Sequence, residues 1–115
     1  MADRGSAPRE STELRRLRRR IDALDRRIVR LLSERAELGR EVGRAKALAG
    51  RRAVRDVERE REVLLRVSIA NEGPIPQVDL LAIYRRLMAA TRALEVRDRR
   101  RDQPVAQEQG PDPRS

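Results

Sequence analysis

The sequence predicts an all-α fold of three helices, one long and two shorter, with the long helix paired against a second copy of the chain. Three observations carry this. Of the 115 residues, 41% are charged and only Tyr84 is aromatic. Leu, Val, Ile and Ala must therefore supply the apolar contacts, a composition that favours long helices. From Leu14 onward the apolar residues recur in alternating steps of three and four, a heptad seam. Chain breaks gather at "AGRRAV" and "NEGPIPQ", which leaves three helical segments between the tails.

Residues 1–12 carry Gly, Ser, Pro and charges without a period and are expected to form a disordered tail. Ser11 or Thr12 is the candidate N-cap, with Glu13 in the first turn. The first helix should run from about Glu13 to Leu48, on a seam of Leu14, Leu17, Ile21, Leu24, Ile28 and Leu31. Its next step lands on Arg35, and the seam resumes at Leu38, Val42 and Ala45. Gly39 and Gly43 weaken the helix by about 1 kcal/mol each relative to Ala and permit close approach by another helix or a ligand. Gly50 is the candidate C′ residue. The second helix is expected from about Val54 to Asn71 and the third from about Gln77 to Arg97. The stripe of the third is Leu80, Leu81, Tyr84, Leu87, Met88, Thr91, Leu94 and Glu95. One domain over 13–98 follows, with a disordered charged tail over 99–115. A helix of about 36 residues is about 54 Å long, and two shorter helices cannot cover such a seam along its length. The seam therefore predicts a dimer.

Composition excludes several functions. With no Cys there is no disulfide framework, and a reducing cytoplasm is the default setting. With neither Cys nor His, zinc and haem sites are not expected, and no metal or other cofactor is assigned. No stretch approaches the ~18 apolar residues of a membrane span, and no signal-peptide run opens the chain. The net charge is +9, from 28 Lys and Arg against 19 Asp and Glu. Such a balance suits nucleic acid, an acidic membrane or a small anion. Lys46 is the one lysine, so the arginine bias reads first as a composition effect.

The polar residues on the apolar stripes are the candidates for chemistry. Lys46 follows Arg35 by three turns plus about 20°, on the same face about 16 Å away. Two long cations so placed can bracket a small anion. Arg18 lies about 100° round the helix from Arg35 and would serve a partner's pocket in a paired dimer. Asp56 and Glu60 open the second helix one turn apart beside Arg59, and Thr91 and Glu95 repeat that spacing on the third. Each has a plain alternative. A lone polar residue in a heptad seam fixes register, and "RDVERERE" reads equally as a solvated face. An ionised Glu in an apolar groove is costly unless paired or protonated.

The segments "LRRRIDALDRRIVRLLSERAELGREVGRAK", "VRDVERERE" and "IYRRLMAATRALE", in this order and spacing, resemble the all-helical AroQ class of chorismate mutases over residues 14–97. The resemblance implies an intertwined six-helix homodimer whose active sites are each built from both chains. It implies the conversion of chorismate to prephenate in the route to phenylalanine and tyrosine. By the same resemblance Arg35, Lys46 and Glu95 are catalytic, and Arg18 (reaching into the partner's site), Asp56, Arg59, Glu60 and Thr91 bind substrate. Glu95 stands where the family has Gln or Glu, and it must be protonated to donate to the ether oxygen, so activity should decline as pH rises. The "AGRRAV" connection is one residue longer than usual, which bears on closure over the substrate. The resemblance also admits an activating partner enzyme from the shikimate pathway. Rival readings are an isochorismate pyruvate lyase on the same scaffold, a basic helical nucleic-acid-binding protein and a coiled-coil adaptor. Arg35 on the seam argues against the nucleic-acid reading, whose cations belong on exposed faces. No second domain fits the length, so a mutase acting alone is expected.

Overall fold

A computed structural model describes residues 10–102 of the chain. Those residues form three helices and no strand: α1 (Thr12–Leu48), α2 (Val57–Ala70) and α3 (Gln77–Arg101). The chain divides into two compact units, Met1–Arg35 and Ala36–Ser115, with the division falling inside α1.

In the first unit Ser11 caps α1. Its Oγ accepts the Leu14 N–H at 3.0 Å and its carbonyl accepts the Arg15 N–H at 3.0 Å. These bonds satisfy backbone donors that a helix start leaves unpaired. Arg15 Nη1 also donates to the Glu10 carbonyl at 2.9 Å, and Arg18 pairs with the Glu10 carboxylate. Ser11 is thus the N-cap, one of the two candidates, and among the described residues of the expected tail only Thr12 is helical; residues 1–9 lie outside the described residues. The seam is uncovered in the single chain: Leu24 is 50% and Leu31 59% exposed.

In the second unit α1 ends at Gly50 as its sequence predicts. Gly50 has φ +80°, its N–H donates to the Ala47 carbonyl at 3.0 Å, and the Arg51 N–H donates to the Lys46 carbonyl at 2.9 Å. This pair of bonds is a Schellman ending. The α1 segment of this unit has two working faces. Leu38 and Val42, on the seam, remain exposed. Gly39 and Gly43 lie against α3. A Cβ built on Gly39 would sit 2.4 Å from Thr91 Cγ2, and one on Gly43 would sit 2.8 Å from Glu95 Cγ.

The helix α2 starts later than expected, at Val57 rather than Val54, because Asp56 is its N-cap. The Asp56 side chain accepts the Arg59 N–H at 3.0 Å and holds an extended backbone. A capping Asp stops the helix from extending backward through its own position. On α3 the predicted stripe faces inward: Met88 and Glu95 are buried, and Tyr84, Leu87, Thr91 and Leu94 are half-buried. The helix α3 continues past Arg97 to Arg101, so residues 99–101 are helical rather than part of a tail. Arg99, Arg100 and Arg101 fill its last turn, where cations oppose the negative end of the helix dipole. Residues 103–115 lie outside the described residues. Among the described residues no helix is long and apolar enough to cross a membrane.

Among the described residues two ion pairs join α1 to α3, Lys46–Glu95 and Arg40–Asp98, and the second is bidentate. Arg40 Nε donates to Asp98 Oδ2 and Arg40 Nη2 to Asp98 Oδ1, both at 2.9 Å. Arg101 Nη2 adds a third bond to Asp98 Oδ1 at 2.9 Å, and Arg40 Nη1 donates to Glu37 at 3.1 Å. The Arg40 hydrogen bonds, helped by the charges of Arg40 and Arg101 and opposed by burial, hold the Asp98 carboxyl below its ordinary 3.8. The same pairing keeps the Arg40 guanidinium more firmly protonated.

Gly39→Ala should lower stability by about 1–3 kcal/mol in urea unfolding, because overpacking against Thr91 outweighs the better helix propensity of Ala. Stabilisation would show that α3 does not sit on the α1 backbone. For Asp98 the folded state favours the ionised form, so its stabilisation is complete above pH 3.8 and is lost as pH falls further. The gap in Tm between the natural chain and Asp98→Asn should be constant between about pH 7 and pH 5 and should narrow below pH 3.8.

Candidate active site

Lys46 continues the line of Gly39 and Gly43 by a further three residues, so it emerges on the face of α1 that α3 covers. Glu95 comes from α3 against Gly43. Lys46 Nζ donates to the Val54 carbonyl at 2.7 Å and lies 3.5 Å from Glu95 Oε2. Both side chains are nearly sealed, at 11% and 7% exposure. The Val54 carbonyl belongs to the connection that the Gly50 turn starts. Glu95 Oε2 is buried and accepts no hydrogen bond. Lys46 Nζ is close to Oε2 without completing a directed bond, so this oxygen has unused hydrogen-bonding capacity. A cavity of about 210 Å³ is lined by Glu95 and not by Lys46, with Gly43 and Ala47 of α1 and Asp98 and Arg99 of α3 among its other walls.

The other predicted residues divide into those near this pair and those apart. Thr91 is one turn before Glu95, with its methyl on Gly39 and its Oγ1 donating to the Leu87 carbonyl at 3.1 Å. Glu60 of α2 pairs with Arg92 of α3, next to Thr91, and accepts from Arg55 Nε at 3.4 Å. Asp56 caps α2, and its Oδ2 lies 3.7 Å from Arg51 Nη2. Arg59 stands apart, exposed, with Nη1 donating to Glu62 at 3.1 Å. In the first unit, Arg35 is half-buried and Arg18 is exposed beside Glu10.

Sequence reasoning missed three charged residues here. Asp98 had a signal, since it is the next step of the stripe Met88, Thr91, Glu95. Arg40 and Arg92 had none, because their partners lie 58 and 32 residues away. Among the described residues, no cluster of three or more Asp or Glu suits a metal ion.

Within the second unit the arrangement is a set of half-buried cations, Arg40, Lys46 and Arg92, with one carboxyl oxygen of unused capacity. It offers charge recognition and hydrogen bonding, with no nucleophile–base pair. Comparison with known proteins agrees with this character. The family model for chorismate mutase type II matches residues 17–96. A bifunctional chorismate mutase/prephenate dehydratase of Stutzerimonas stutzeri is 39% identical over 90 residues, 75% of this chain and 25% of that protein. The Aquifex aeolicus protein of the same name is 39% identical over 87 residues, 72% of this chain and 24% of that protein. The chain thus spans about a quarter of the length of these curated relatives. Among solved structures, a chorismate mutase from Thermus thermophilus superposes with a TM-score of 0.71 at 34% identity, covering 74% of this chain and 96% of that one. With its helices, its spacing and most of its length accounted for in this way, the chain belongs to the chorismate mutase type II family.

Proposed function

We propose that residues 13–98 form a domain that catalyses the Claisen rearrangement of chorismate to prephenate, in the cytoplasm, as a homodimer with two shared sites. The observation that carries this reading is the sealed Lys46–Glu95 pair, a cation and a carboxyl with a free acceptor oxygen, in a chain of this family. The uncovered seam from Leu14 to Val42 supports the dimer, since a face this apolar needs a partner.

Chorismate is a compact dianion with an ether oxygen between its reacting parts. In the rearrangement the ether C–O bond breaks as the new C–C bond forms, and no external proton or electron is exchanged. The protein has to hold the side chain over the ring and to stabilise negative charge growing on the ether oxygen. Arg35 and the partner's copy of Arg18 take one carboxylate each through the guanidinium fork. Lys46 donates to a carboxylate and to the ether oxygen. Glu60, oriented by Arg92 and Arg55, accepts the ring hydroxyl. Thr91, Arg59 and Asp56 complete the substrate contacts, with Asp56 also capping the start of α2. Glu95 in its protonated form donates to the ether oxygen.

The purified chain should consume chorismate and yield prephenate, and Arg35→Ala should lower kcat/KM by about 100-fold or more while remaining dimeric in sedimentation. Release of pyruvate, or no turnover by a folded dimer, would contradict the mutase. Glu95→Gln keeps a hydrogen-bond donor at that position and should retain activity, while Glu95→Ala should lower kcat/KM. Natural activity in Glu95→Ala would remove Glu95 from the role.

A further inference from the structure

We propose that Arg40 and Asp98 are positioning residues for the Lys46–Glu95 pair, fixing how far along α1 the helix α3 sits; this rests on the mutase reading above. Two contacts between the helices are layered, Thr91 on Gly39 and Glu95 on Gly43, and the Arg40–Asp98 pair spans them diagonally. The two glycine layers set how closely the helices approach. They are van der Waals contacts, which fix position along the axis less sharply than a bidentate ion pair does. The apolar core adds little to this, since Met88 is the one buried hydrophobic residue among those described. The Lys46–Glu95 pair adds little too, since at 3.5 Å it leaves Oε2 without a hydrogen bond.

The Arg40–Asp98 contact is the directed one. Its two parallel bonds of 2.9 Å tie a planar fork to a planar carboxylate, a geometry that tolerates little displacement. Glu37 and Arg101 hold the two ends of the pair, and the Asp98 side chain is only 10% exposed. Asp98 is one turn beyond Glu95 on the same face of α3, and Arg40 is one turn before Gly43 on α1. The position of the Glu95 carboxyl is therefore inherited from its neighbour. A shift of about 1 Å at a reacting centre can cost up to about 100-fold in rate, so this inheritance has a kinetic consequence.

The test compares the full chain with Asp98→Asn and Arg40→Lys at a temperature where circular dichroism shows all of them folded. The expected result is a kcat lowered about tenfold or more with KM changed less than about twofold. In a Glu95→Ala background, Asp98→Asn should cost less than about twofold, because the group it positions is gone. The ¹³C resonance of the Glu95 side-chain carboxyl should also shift in Asp98→Asn. A folded Asp98→Asn with natural kcat and an unmoved resonance would overturn the proposal, as would an equal loss in both backgrounds. If Asp98→Asn does not fold, Arg40→Lys, which keeps the charge and loses the fork, carries the same readouts. If the natural chain does not turn over chorismate, the mutase reading fails by itself, and the resonance alone decides the positioning: moved sustains it, unmoved overturns it.

Discussion

The seating of α3 on the bare backbone of α1 is the constraint on which the rest of the second unit depends. At Gly39 and Gly43 there is no room for a Cβ, and Thr91 and Glu95 occupy that space. Each glycine weakens the helix that carries it by about 1 kcal/mol, so such a stripe persists only where close approach is needed. Approach at this range is what seals Lys46 and Glu95 from water. Once sealed, each needs a polar neighbour, because a buried polar group left alone is destabilising. The Gly50 turn adds the third member, bringing in the connection whose Val54 carbonyl accepts from Lys46.

Among the described residues Met88 is the one buried hydrophobic side chain of the single chain. Directed charge pairs join the helices: Arg40–Asp98 between α1 and α3, and Glu60–Arg92 between α2 and α3. The apolar residues go mostly to the other face of α1, where they stay exposed in the single chain. The division explains how so charged a sequence remains a helical domain. One face of α1 holds its own chain through glycine and charge, and the other, in the proposed dimer, holds the second copy through leucine and isoleucine. Arg35 interrupts the second face, and a permanent cation at such a step is tolerable when an anion is brought to it.

Much of this is legible in the sequence, for local reasons. The ends of α1 follow from Ser11 and Gly50, whose side-chain oxygen and positive φ act within a few residues. The inward stripe of α3 follows from its period. The start of α2 departs from expectation because Asp56 reads as a group inside the helix, whereas a capping residue stands just outside it. The end of α3 departs because "RDRRR" reads as a solvated charge run, while Arg40 and Arg52 supply partners that keep Asp98 and Arg99 in helical register. Those partners lie 58 and 47 residues away, beyond the reach of any local pattern. Glu95 and Lys46 stand out because they interrupt or extend apolar stripes. Arg40 and Arg92 interrupt nothing, and only the folded chain brings them to their carboxylates.

In the proposed dimer, cations from two copies of the chain meet in one site, and mixing two inactive variants reads this out. Arg18→Ala and Lys46→Ala homodimers should each be inactive toward chorismate. After co-refolding, half of the dimers should be mixed, and each mixed dimer should carry one site with both substitutions and one intact site. Recovery of about a quarter of the natural activity is the expected result. No recovery from dimers shown to have exchanged, or full activity of either variant alone, would contradict a site shared between two chains.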